Sequence, residues 1–374
     1  MLKKQDLIPV GIYIKSDYEY LIPSSYFQYT GENCAQVFVN YLDQVYDAIM
    51  DKMSKPLKAI YTNYDINNFN QSTKCYMCKT TFKTPQEKVY EHNHYNGRYR
   101  GAACQSCNTK EGKQSKTIPV FFHNGSNYDF HLFITELMKK AEETGKTASI
   151  LPKTTENYIS ITYGNRFKKM VFLDSYRFMQ KSLSAIAESL SDQDFKILKQ
   201  FYPEEEQFKL LRQKGIYPYE YVDSLDRLDE KCLPPHESFY SILSQKNITE
   251  EEYQRAQEVW NNFKCKTFKD YHELYLKVDV LILADSFEKF REFFLTQEEV
   301  DPAYCYSAPG LTWQCGLKFC DKKLDLLNDY NMLLMFENGI RGGFSGVLGN
   351  RYVKANNKYV PDYDNTKPSN RLTI

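Results

Sequence analysis

Charge of one sign is what this sequence lacks, since 48 Lys and Arg balance 48 Asp and Glu. Attachment to nucleic acid or an anionic surface through bulk charge is therefore excluded, and any such contact has to come from local patches. Long hydrophobic runs are missing too. No stretch approaches the roughly 20 apolar residues of a spanning helix. The opening MLKKQDLIPVGIYIK lacks the long apolar stretch and small-residue cleavage site of a signal peptide. These absences predict a soluble, intracellular protein with no membrane partner. Compositional bias is absent as well: 42% hydrophobic and 26% charged residues exclude a disordered or collagen-like chain. No internal repeat is found. What remains is a globular chain whose 374 residues suffice for two or three domains.

Ten cysteines without an export signal imply reduced thiols rather than a disulfide framework. Cys75 and Cys78 form one C-x2-C pair, and Cys104 and Cys107 form a second. Each pair places two thiolates on one knuckle facing a tetrahedral ion, so the spacing predicts a structural Zn²⁺ site. The other six cysteines are unpaired in this sense and read as small core residues.

Apolar periodicity predicts a strand over Gly11–Leu21 and a helix over Ala35–Met53. A polar, Asn-rich passage (Asn63–Gln71) leads into the cysteine module, which ends in the segment Glu111–Thr117. After it come an apolar run from Ile118, an amphipathic stretch Asp129–Ala141, and strands over Tyr158–Tyr163 and Lys169–Asp174. Helices are predicted over Ala185–Leu190, Ile248–Phe263 and Asp270–Phe294. Strands interleaved with helices indicate an α/β class. Residues 75–116 carry eight Lys or Arg against three Asp or Glu, so the cysteine module is the basic end of the chain.

Between the cysteine pairs stands Glu91-His92-Asn93-His94-Tyr95-Asn96-Gly97-Arg98-Tyr99-Arg100-Gly101, and Asn108 directly follows the last cysteine. This resembles the recombination endonuclease VII group of His-Me finger nucleases. The resemblance implies that Glu91 and Asn108 hold Mg²⁺, that His92 is the general base, and that His94 assists. A neutral imidazole can take a proton from water while a hard cation stabilises the developing phosphorane charge.

The segment FFHNGSNYDFHLFI places Asn124 ahead of a Tyr128-Asp129 pair, and Tyr275-Leu276-Lys277-Val278-Asp279 supplies Y-x3-D. These resemble the second and third 3′–5′ exonuclease motifs of protein-primed B-family DNA polymerases of phages, organellar plasmids and Polinton or Maverick elements. Asp174-Ser175 lies between them, as an Asp-Ser pair does in those enzymes. Lys214-Gly215-Ile216-Tyr217-Pro218-Tyr219 resembles the block bearing the auxiliary lysine, with Lys209 as a nearby alternative. Ile340-Arg341-Gly342-Gly343-Phe344 is similar to the Tyr-x-Gly-Gly template-gripping motif, with Ile340 in place of its tyrosine.

The resemblance implies a ribonuclease H-like exonuclease carrying an inserted zinc module and followed by the start of a palm-type polymerase domain. Asp129 and Asp279 would ligate catalytic Mg²⁺ or Mn²⁺, Tyr275 would orient water, and Lys214 would stabilise phosphate charge. Asn124, Arg341, Gly342, Gly343 and Phe344 would contact DNA. The implied boundaries are 1–66 for the first part of the exonuclease, 67–117 for the insert, 118–299 for the exonuclease core and 300–374 for the connector to the palm. The family's first exonuclease motif, Asp-x-Glu, is expected upstream of this start, and its Asp-x-x-Ser/Asn-Leu-Tyr motif beyond Ile374. The chain is thus expected to be the central, polymerase-inactive piece of a replicative DNA polymerase. The parent enzyme would use a DNA template, a single-stranded 3′ end, deoxynucleotides and a terminal protein primer. Two other readings are a standalone Mg²⁺-dependent His-Me finger endonuclease and a non-catalytic zinc protein that binds nucleic acid.

Overall fold

The computed structural model describes residues 9–112, 116–242, 244–320, 324–343, 353–354, 356–359, 363–367 and 371–372. It divides into two units, Met1–Phe319 and Cys320–Ile374. No described helix is long and apolar enough to cross a membrane.

The first unit opens with β1 (Val10–Ile14) and β2 (Ser25–Tyr29), paired antiparallel from Val10↔Tyr29 to Ile14↔Ser25. A single strand over Gly11–Leu21 is therefore corrected to one arm of a hairpin. The chain leaves the strand after Ile14 because polar side chains satisfy the loop backbone: Ser16 N–H bonds Ser24 Oγ at 2.9 Å, and Ser24 N–H bonds Glu19 Oε2 at 2.7 Å. Next, α1 (Cys34–Met53) buries Phe38, Leu42, Tyr46 and Met50, a stripe at i, i+4 spacing. The Asn-rich passage is a helix, α2 (Asn63–Gln71), nucleated by Thr62, whose hydroxyl caps the Asp65 N–H at 3.1 Å.

The cysteine module contributes β3 (Lys88–His92), β4 (Tyr99–Cys104) and α3 (Gln105–Gly112). The main sheet follows, with β5 (Lys116–Phe122), α4 (Asp129–Thr144), β6 (Thr147–Pro152), β7 (Tyr158–Asn165) and β8 (Lys168–Asp174). Its order is β5-β8-β7-β6, with β5 parallel to β8 and the other two pairs antiparallel. β8 is buried continuously from Met170 to Asp174, as an inner strand covered on both faces should be. Pro119 lies in β5, the terminal strand, where its missing N–H does least harm.

Alternation along β5 divides the core. Ile118, Val120 and Phe122 pack with α1 and α4. Phe121 instead meets Phe287 with ring centroids 3.9 Å apart. Phe287 belongs to the thirty-residue α9 (Phe268–Gln297), which comes after α5 (Leu183–Ser189), α6 (Lys196–Phe201), α7 (Glu205–Leu211) and α8 (Glu250–Asn262). A Thr267/Asp270 capping box starts α9. Midway along it, the buried Asp285 accepts the N–H groups of Ile197 and Leu198 at 2.7 and 2.8 Å, capping α6. α10 (Ala308–Cys320) ends the first unit's helices. The second unit contains α11 (Tyr330–Gly339) and the antiparallel pair β9 (Val353–Lys354) and β10 (Arg371–Leu372).

Candidate functional site

β5 delivers its chain to a turn that could not form without help. Asn124 has φ 66°, a left-handed conformation that Asn tolerates better than most residues. The help comes from Asp174 at the end of β8, which is 1% exposed. Its Oδ1 accepts the N–H of Asn124 at 2.7 Å and of Tyr176 at 2.9 Å, and its Oδ2 accepts that of Ser126 at 3.1 Å. Asp174 therefore fixes the loop that carries Asn124 and aims α4, whose first residue is Asp129. His123 is fixed beside it, with Nδ1 2.9 Å from Ser175 Oγ and Nε2 2.9 Å from the Lys181 carbonyl.

The result is a cleft of about 1100 Å³ lined by Asn124, Asp129, Lys214 and Asp279, gathered from positions up to 155 residues apart. Every residue from Ile118 to Phe122 lines it, so the cleft runs along the edge of β5. Lys209 is elsewhere: it is exposed and pairs with Glu205 at 3.3 Å, so of the two candidates Lys214 is the one at the cleft, which Lys15 also lines.

Tyr275 and Asp279 share one face of α9 because four residues make about one turn. Asp279 Oδ1 is sealed from solvent and has no hydrogen-bond partner. Burial pushes its carboxyl up to about 6, with the Lys214 charge and the Tyr275 hydroxyl working in the opposite direction. Asp129 is also raised, first by burial and further by the Asp174 charge. Asp279 as a residue lines the cleft, and carboxylate oxygens of this kind suit a hard divalent ion. Burial raises the Tyr275 hydroxyl far above its ordinary value, so it stays protonated. It hydrogen-bonds the exposed Tyr219, and Tyr217 stacks on its ring at 4.7 Å. Asp174 and Tyr219, read in the sequence only as letters of neighbouring motifs, each act through a partner more than 45 residues away.

In the cysteine module the Sγ atoms of Cys75, Cys78, Cys104 and Cys107 all lie within 4.8 Å of one another, and those of Cys78 and Cys104 are 3.9 Å apart. That edge suits a tetrahedron with metal–sulfur bonds of about 2.3 Å. Hydrogen bonds from Thr80 draw the Cys78 thiol down to about 6, favouring the thiolate a metal needs. The four-cysteine cluster can therefore hold a metal such as zinc.

Glu91 sits on β3, 2% exposed, between Arg100 and Tyr76. Its Oε2 accepts from Arg100 Nε at 2.8 Å and from the Tyr76 hydroxyl at 2.9 Å, while Oε1 takes the Arg100 Nη2. The carboxylate expected to ligate Mg²⁺ thus has both oxygens engaged in hydrogen bonds. His92 lies 3.3 Å from the Leu57 carbonyl and 5.0 Å, ring to ring, from His94, and Asn108 is half-buried in α3. In the second unit, Arg341, Gly342 and Gly343 are exposed coil after α11. Phe344 lies outside the described residues.

Two family models match the chain. A model of recombination endonuclease VII matches residues 56–129. One of DNA polymerase type B, organellar and viral, matches residues 109–362. Neither a curated protein nor a solved structure matches the chain.

Proposed function

This chain belongs to the organellar and viral type B DNA polymerases, and on that premise we propose that its cleft is the 3′–5′ exonuclease site of a replicative, protein-primed enzyme. The observation that carries this reading is that Asp129 and Asp279 line one cleft, with one oxygen of Asp279 buried and unpartnered. The mixed sheet, with α1 and α4 packed on one side of β5 and α9 on the other, is compatible with a ribonuclease H-like core.

The two carboxylates would hold Mg²⁺ or Mn²⁺, which when bound supplies Lewis-acid activation of the phosphodiester and of water. Lys214 places a cation beside the phosphate and offsets its charge. Tyr275, kept protonated by burial, donates or accepts one hydrogen bond to position the attacking water. Asn124, exposed at the rim, contacts the single-stranded 3′ end. Arg341, Gly342 and Gly343 serve the template strand in template-directed synthesis with deoxynucleotides and a terminal protein. Phe344 belongs to the same motif.

The zinc module is a DNA-binding brace in this reading. Glu91 locks its hairpin through Arg100 instead of holding Mg²⁺, and His92 and Asn108 then lack a carboxylate to complete a nuclease centre.

The test uses the full chain and a 5′-labelled single-stranded oligonucleotide in Mn²⁺. A ladder shortened from the 3′ end and lost in Asp279→Asn supports the reading. An intact 3′ end, or shortening that survives Asp279→Asn, contradicts it.

A further inference from the structure

A second pocket, of about 660 Å³, lies where the cysteine module meets the main sheet. Its walls come from several places in the chain, among them Met53 and Pro56 at and just past the end of α1 and Glu111 of α3. Tyr18 belongs to the loop joining β1 to β2, and His94, Tyr95 and Arg100 belong to the β3–β4 hairpin. Lys116, Phe167 and Lys168 belong to the start of β5 and the β7–β8 turn. Backbone and side-chain bonds hold these parts together. Lys116 N–H bonds the Phe167 carbonyl at 2.7 Å, Leu57 N–H bonds the His94 carbonyl at 2.8 Å, and Asn93 Nδ2 bonds the Tyr18 hydroxyl at 2.9 Å. The pocket is thus assembled by the docking of the module onto the sheet.

The lining has a specific chemistry. Arg100 is neutralised by Glu91 and by Glu111 at 3.3 Å. Lys116 and Lys168 are different: among the described residues neither is within ion-pair distance of a carboxylate. Lys116 Nζ stands 5.7 Å from the centre of the Tyr95 ring, and Lys168 Nζ meets the Ser54 hydroxyl. Tyr18 and Tyr95 have ring centres 5.5 Å apart, and Phe167 is 60% exposed. Two ammonium groups beside three aromatic rings match the two parts of a nucleotide, since phosphate takes the charge and an unstacked base takes a ring face. The rings are accessible only to a base outside a duplex. The volume falls within the range of about 300–1,000 Å³ typical of sites for small organic groups.

We propose that this seam pocket binds a nucleotide of single-stranded DNA, Lys116 and Lys168 contacting phosphate and Phe167 carrying the base. The proposal rests on the reading of the chain as a DNA-binding polymerase part and adds a contact separate from the carboxylate cleft. β5 runs between the two sites, with Lys116 at the pocket and Phe122 at the cleft. The cleft's lining begins at Ile118, two residues beyond Lys116, and six residue steps at roughly 3.3 Å each put the Phe122 end, beside Asn124, about 20 Å from the pocket. A strand whose 3′ end reaches the cleft can therefore be held upstream at the seam.

The experiment is fluorescence anisotropy of a labelled oligo(dT) of twenty nucleotides with the zinc-loaded full chain across a salt series. Lys116→Gln/Lys168→Gln should weaken binding on the order of ten-fold and flatten the log K against log salt slope by about 1.4, two phosphates at roughly 0.7 each. Lys116→Arg/Lys168→Arg should restore both. Phe167→Ala, at an exposed ring, should weaken binding while leaving the slope unchanged, and it keeps the proposal open to refutation if the glutamine variant loses its zinc. Unchanged affinity and slope in the glutamine variant, with zinc retained, overturns the pocket but leaves the polymerase reading standing. If Phe167→Ala binds as tightly as the native chain, the base-stacking part falls. A native chain that binds no oligonucleotide removes the polymerase reading and the pocket with it.

Discussion

Gly215 lies flat against Tyr275: a Cβ built on the glycine would sit 2.6 Å from Cδ2 of the tyrosine ring. Only a residue without a side chain lets the Lys214 loop press onto the helix that carries both Tyr275 and Asp279. The Arg255 guanidinium holds this loop from behind, bonding the Lys214 carbonyl at 3.0 Å. Gly215→Ala should therefore destabilise the fold by about 1–3 kcal/mol, the usual range for overpacking. It should also slow 3′-end removal by displacing the tyrosine. Denaturant melts and a cleavage time course check both, and an alanine variant equal to wild type in each would refute the tight approach.

The carboxyl of Asp279 gives a pH dependence with a definite sign. Burial raises it to about 6 in the folded chain, against about 3.9 unfolded. Protonation thus favours the native state: the contribution is fully present below about pH 4 and is lost as pH rises through about 6. In metal-free buffer, wild type should lose stability relative to Asp279→Asn across that window, by on the order of 3 kcal/mol. Parallel urea melts of the two proteins measure the difference, and a flat difference would count against the buried, unpartnered carboxylate. Divalent-cation affinity should rise across the same window, because only the carboxylate is a ligand.

Some of this was legible in the residues alone and some was not, for physical reasons. Tyr275 and Asp279 are four apart on a helix, so local periodicity already puts them on one face. The cysteines declare themselves through the knuckle spacing, and the strand ending at Asp174 shows in the apolar run Met170–Leu173. Asp174 itself reads as a motif letter. Its work, holding three N–H groups around Asn124, depends on β5 and β8 lying side by side. The ion pair of Glu91 with Arg100 crosses a hairpin whose register the sequence does not reveal, so the glutamate's partner was not legible. The helix over Asn63–Gln71 was hidden by its polar composition, and only the Thr62 cap marks its start.

Glu91 and Arg100 yield a test of brace against ligand. Arg100→Ala leaves a buried carboxylate without its cation and should destabilise the module by about 3–5 kcal/mol, with Arg100→Ala/Glu91→Gln recovering part of the loss. Limited proteolysis of residues 56–117 reports the opening. If Mg²⁺ protects Arg100→Ala as well as it would protect a true metal site, Glu91 is a ligand after all.

Zinc removal should act locally. One Zn²⁺ per chain is expected by native mass spectrometry, falling to none in Cys75→Ser/Cys104→Ser, because a tetrahedral site does not survive the loss of two thiolates. Chelation should expose the module to protease while the strands of the main sheet keep their amide protection. Simultaneous exchange of both regions would show that the module is not a separate folding unit.

The central claim is that two carboxylates 150 residues apart serve one cation, and Mn²⁺ binding read by electron paramagnetic resonance addresses it most directly. The account expects Asp129→Asn and Asp279→Asn each to abolish the same bound Mn²⁺, with the double variant losing no more than either single. Independent losses that add in the double variant, or a Mn²⁺ signal indifferent to both substitutions, would contradict it.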